Sequence, residues 1–315
     1  MKKSGGSVAV EGKAQLLAKK IMTKRRNADG IYYQVYKKVV SNEARLPSMP
    51  DVAQKVRRAV ANDNVGVKEM ARIIQADPPL ATRVIRAANS PLYRSGRPYN
   101  NVADAVKKMG AHATRNVVYS HSLGALFYFR ETALRKIAAE IWHDSVQTAS
   151  IASVLAVYSH GISPDKAMLA GLIQDIGALP LLAELSENHP DVVKDYDEVK
   201  RVVTTYKAEV GYHLVKVWGF EDAFLDVIKS REDWMRKGGA KLDLADIILL
   251  ARWHTAVGTP CFRSMPSVVD MPAYKKFPVN KLSPEQSLDV LDYAKEQMED
   301  IANMLGSSAR RTSKV

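Results

Sequence analysis

The feature that most constrains this chain is a helical apolar period running through most of it, with no convincing stretch of period-two alternation. That pattern excludes a sheet-based core and predicts an all-α, multi-helix bundle. Start signals mark the helices. Asp77-Pro78 is an N-cap followed by proline at the first helical position, and Ser163-Pro164 repeats the device. Ser283-Pro284-Glu285-Gln286 adds a capping-box glutamine. The spacing predicts one long apolar helix over 132–159 and further helices near 165–175, 204–218, 221–234 and 242–257. SPLYRSGRPYN (90–100) is a loop by its proline and glycine content. Pro260, Pro266, Pro272 and Pro278 predict an extended connector over 258–283.

Charge divides the chain in a way that the apolar pattern does not. Residues 1–45 hold eleven Lys/Arg against three acids, and the last ten residues add three more bases. Of the net +12, the body at 46–305 therefore carries about +1. A nucleic-acid-binding face on the folded body is disfavoured by that balance. Binding to nucleic acid or another anionic partner would fall to the ends, with Lys19, Lys20, Lys24, Arg25 and Arg26 as the contacts. The organisation expected is a basic helical segment (1–45), a main domain (46–257), the connector (258–283), a C-terminal helix (284–305) and a basic tail (306–315). The stripe of that last helix spans about two heptads, short for a coiled coil, so it is expected to pack on its own domain.

Several chemistries have no support. The single cysteine, Cys261, allows neither an internal disulfide nor a cysteine-based zinc site. No GxSxG, GxxxxGK[ST] or GxGxxG string occurs, so neither a nucleophile elbow nor a standard phosphate-cradling loop is present, and no cofactor is expected. No two of the seven histidines are three or four apart, so a metal site would have to gather ligands from separate helices. The first residues, MKKSGGSVAVEG, lack an apolar signal region, and no run approaches eighteen apolar residues; a cytoplasmic location without a membrane span is expected.

One string stands out chemically. AGLIQDIGALPLLA (170–183) sets Gln174 and Asp175 within an apolar run. Adjacent helical residues point about 100° apart, so the two can share a partner only near a helix end, and Gly177 makes such an end plausible.

Read in order, the helices resemble a known family. IIQADPPLATRVIRAANSPLY (73–93) is similar to the N-terminal hallmark of HDOD domains. ADAVKKMGAHATRNVVYSHSL (103–123), WHDSVQTASIASVLA (142–156), AMLAGLIQDIGALPLL (167–182), YKAEVGYHLVKVWGF (206–220) and DLADIILLARW (243–253) follow in the family's order. The resemblance covers about 46–257 and implies a helical signalling module related to HD and HD-GYP phosphohydrolases, generally without their full metal site. It places the remnant ligand positions at His143, Gln174, Asp175 and Asp246, with Gln174 where the motif has histidine. The additional HD-GYP histidines would fall near Lys207 and around Ser230, Arg231 and Glu232, and none is present.

A carboxamide is a weak, neutral ligand, and a lysine at a ligand position repels cations. The expectation is therefore no catalysis and no metal. His143, Gln174, Asp175 and Asp246 are expected to form a buried hydrogen-bonded cluster, with a remnant ligand pocket that includes Lys207 as the alternative. The resemblance implies regulation of cyclic-di-GMP turnover, two-component systems, motility or biofilm through contacts with kinases or cyclase-type proteins acting in trans. Residual metal-dependent phosphodiesterase activity of the HD type is the enzymatic alternative.

Overall fold

The protein was analysed as a computed structural model, which describes residues 30, 33–41, 46–60, 67–90, 93, 96–159 and 161–278. The basic residues Lys19, Lys20, Lys24, Arg25 and Arg26, the helix expected over 284–305 and the tail lie outside the described residues. Within them every regular element is a helix and no strand occurs. A first helix, α1 (33–40), buries Val35 and Val39. It is followed by α2 (Asp51–Val60), α3 (Val67–Gln75), α4 (Pro78–Asn89), α5 (Val102–Gly124), α6 (Thr132–Ser159), α7 (Pro164–Ile173), α8 (Ala178–Asn188), α9 (Tyr196–Val217), α10 (Asp222–Ser230), α11 (Leu244–Ala256) and α12 (Pro272–Lys276).

Local chemistry accounts for the boundaries. Asp77 accepts from Leu80 N and caps α4, with Pro78 in the first turn. Proline also opens α7, but there the Ser163 side chain makes no capping bond. At the far end of α4, Asn89 donates to Tyr99 O and accepts from Tyr99 N, both at 2.8 Å, and so pins the loop before α5. Gly110 bends α5 at φ 81°, a left-handed conformation that glycine adopts without penalty.

Helices α2–α4 pack on α5, and α5 passes on to α7. The other half is built on α6, which lies against α7 and α11, while α8 packs on α9 and α10 on α9 and α11. Small residues set the closest approaches. A Cβ at Gly171 would lie 2.5 Å from Ala149 Cα, so α7 can touch the backbone of α6 only through glycine. Pro164–Asn188 is apolar and long enough to cross a membrane by composition, yet 94% of its most apolar 18-residue window is buried inside the fold.

The expectation of an extended connector fails over 260–277. Short helical turns form at Pro260–Ser264 and Val268–Asp270, then α12, and Val268, Met271, Ala273 and Phe277 are buried. Trp253 of α11 holds the segment by donating to Pro266 O (2.9 Å) and stacking edge-on against Phe262. Pro260 and Pro272 each stand in the first turn of a helical segment, so these prolines start structure instead of preventing it.

Candidate functional site

Helix α7 ends at Ile173, and Gln174–Gly177 form a tight turn before α8. Gly177 is not a left-handed helix stop, for its φ is −65°. It is needed for close approach instead: a Cβ there would lie 2.0 Å from Lys207 O and 2.3 Å from Gly211 N. The turn thus rests directly on the backbone of α9, and this contact brings Lys207 to Asp175.

Gln174 and Asp175 are almost fully buried, at 1% and 4% exposure. Around Asp175 stand three cations from three helical elements. Lys207 of α9 lies 3.1 Å from Oδ1, Arg231, which ends α10, lies 2.6 Å from the same atom, and Arg252 of α11 lies 3.7 Å from Oδ2. Arg252 also donates to Gln174 Oε1 at 2.8 Å. Gln174 and Asp175 therefore do share a partner at a helix end, and that partner is Arg252. Glu232 closes the outer side, 2.8 Å from Arg231 Nη1 and 4.0 Å from Arg252 Nη2, and is 59% exposed.

The electrostatics follow from this packing. Burial works against the charged form of Asp175, but Lys207, Arg231 and Arg252 outweigh it and hold the carboxyl well below the usual carboxylate range. Burial depresses Lys207, with the two guanidiniums adding to the effect and Asp175 opposing it. Asp144, on α6 at the rim, is close enough to feel Asp175, Lys207 and Arg252. Loss of water on its inner side raises its carboxyl, His143 opposes, and the charge of Asp175 adds to the rise.

The four-residue cluster expected from the sequence does not form. His143 is exposed on α6. Asp246 is fully buried but belongs to another network: Arg236 at 3.0 Å, Lys276 at 2.9 Å and a capping box with Asp243 in the first turn of α11. It shares no ion-pair partner with Asp175. Among the described residues, no group of three His, Cys, Asp or Glu side chains is gathered as a metal site. The side chains at Asp175 do not fit a divalent cation, because three protein cations already crowd the carboxylate that would bind it. The sequence reading missed Arg252 altogether and treated Arg231 only as a place where histidine was lacking.

Comparison with known proteins bears on this arrangement. The sequence profile of the HDOD domain matches residues 46–234, more than half of the chain. The chain belongs to the HDOD family. Asp246 and Arg252 lie beyond the matched residues. This HDOD chain is similar in structure to a candidate metal-dependent phosphohydrolase from Shewanella amazonensis, at 26% identity and a TM-score of 0.76, covering 88% of this chain and 99% of that one. An HDOD domain protein of unknown function from Geobacter sulfurreducens shares the fold at 20% identity and a TM-score of 0.59, covering 86% and 97%. An uncharacterized protein of Treponema pallidum is 20% identical over 201 residues, which are 58% of this chain and 37% of that protein. The HDOD chain thus spans little more than a third of the length of that relative.

Proposed function

We propose that this HDOD chain is a non-enzymatic regulatory module that acts through protein contacts, with kinases or cyclase-type proteins as partners in trans. The observation that carries the reading is the occupancy of the Asp175 site. Positions that resemble metal-ligand positions of the catalytic relatives, Lys207 and Arg231, do converge on Asp175, but they bring positive charge. Arg252 adds a third cation, and Gln174 replaces the motif histidine with an amide that accepts from it. The positive charge that a metal would contribute is supplied here by side chains. A two-metal phosphohydrolase needs ligands on both sides of the attacking and leaving oxygens. Here His143 points to solvent and Asp246 is held by Arg236 and Lys276.

The phosphohydrolase name carried by the Shewanella relative favours the enzymatic alternative, and an assay separates the two. Purified full chain is incubated with cyclic dinucleotides and a phosphomonoester in the presence of Mn²⁺ or Fe²⁺. The expected result is no turnover above a His143→Ala control. Turnover that His143→Ala abolishes overturns the proposal.

A further inference from the structure

The side chains around Asp175 hold more donors than acceptors. A guanidinium only donates, so the amide atom of Gln174 that faces Arg252 must be the oxygen. That choice leaves Gln174 Nε2 buried and without an acceptor among the described residues, and the Nε atoms of Arg231 and Arg252 are in the same state. Buried donors of this kind are rare in native proteins, because leaving one unmatched costs its hydration. Glu232 supplies one anionic group at the outer end of the cluster, touching Arg231 and reaching toward Arg252 while 59% exposed. Two guanidiniums therefore share an anion position that solvent can reach.

We propose that this position is a seat for a phosphate group, which displaces the Glu232 carboxylate and pairs with Arg231 and Arg252. The guanidinium fork matches phosphate oxygens two at a time. A phosphate also brings one more oxygen and more negative charge than the carboxylate it replaces, to a cluster in which Lys207, Arg231 and Arg252 outnumber the buried carboxylate of Asp175. The surrounding groups set the local charge: Lys207 adds positive charge from α9, while Asp144 on α6 is near enough to interact with Asp175, Lys207 and Arg252. The seat does not depend on the regulatory reading, since a protein-binding module can hold a phosphate or lack one.

Isothermal titration calorimetry on the full chain tests the seat, with inorganic phosphate and adenosine monophosphate titrated separately at constant ionic strength. Saturable binding is expected for the unmodified chain. Glu232→Gln removes the competing carboxylate of a half-exposed pair, so its affinity should rise by up to about fivefold. Arg252→Gln should weaken binding by about tenfold or more, the loss of one charge-assisted contact. Glu232→Gln, at a half-exposed position, remains informative if Arg252→Gln fails to fold by circular dichroism. Once Glu232→Gln raises the affinity, saturation by inorganic phosphate alone narrows the ligand to the free ion, and saturation by adenosine monophosphate, with or without phosphate, admits a phosphomonoester; each upholds the seat. No saturable binding, or an affinity untouched by Glu232→Gln, overturns it, the latter by placing the phosphate elsewhere, for instance on the basic ends.

Discussion

Replacing Asp175 with asparagine keeps the shape of the side chain and removes its charge. Two opposing terms decide the outcome. A charge pair about 3 Å apart attracts by about 5 kcal/mol at an effective dielectric of about 20, and Asp175 has two cations near that distance, Lys207 at 3.1 Å and Arg231 at 2.6 Å. Burial of the carboxylate and mutual repulsion of the cations take much of this back. Losing one partner of a buried ion pair nonetheless costs about 3–5 kcal/mol, because the remaining charge stays buried and unmatched. Arg231 cannot shed its proton, and it is only 3% exposed. The expected loss is therefore about 3–5 kcal/mol, a large part of the ~5–15 kcal/mol that holds a typical domain folded. Urea unfolding followed by the fluorescence of Trp142, Trp218, Trp234 and Trp253 reads it as a lower midpoint.

The pH dependence has a definite sign. The folded carboxyl of Asp175 lies below its unfolded value, so its contribution is full above the ordinary carboxylate pKa of about 4 and declines as the pH falls below it. The difference between parent and variant should follow the same course. A loss under about 1 kcal/mol at neutral pH would refute the idea that the three cations depend on this carboxylate.

Gly177→Ala should be nearly as damaging for a steric reason. Its Cβ would meet Lys207 O at 2.0 Å and Gly211 N at 2.3 Å, and these backbone atoms can yield only if α8 and α9 separate. Overpacking of this kind costs about 1–3 kcal/mol or more; a midpoint equal to that of the parent would contradict the contact. Asp246→Asn should release the 260–277 segment, because Arg236 and Lys276 lose a fully buried partner. Hydrogen exchange should quicken across 268–277, at a stability cost of about 3–5 kcal/mol, and unchanged protection there would separate the segment from Asp246.

The helices were largely legible in the sequence because caps, prolines and apolar period act within a few residues. The long α6 runs over 132–159 as the periodicity predicts. The 260–277 segment shows the same local rule misapplied: four prolines suggest an extended chain by composition, yet Pro260 and Pro272 sit where proline starts a helix. The site was legible only in part. Gln174 and Asp175 stood out as polar residues in an apolar run, and their burial follows that signal. Arg252 carries the same signal within IILLARW, a lone charge in an apolar helix. Periodicity gives the face of a helix but not the partner on it, and Arg252 meets Gln174 across 78 positions of sequence. His143 fits its motif position by resemblance, but the phase of α6 turns it to solvent while Ser145, Val146 and Ala149 face inward.

The central claim is that protein cations have taken the place of metal at Asp175. Elemental analysis of the full chain, purified after expression in medium supplemented with manganese and iron, tests it most directly. The account predicts well under one metal ion per chain, unchanged by His143→Ala. One or more tightly bound ions per chain, lost in Asp175→Asn variants that remain folded, would contradict it.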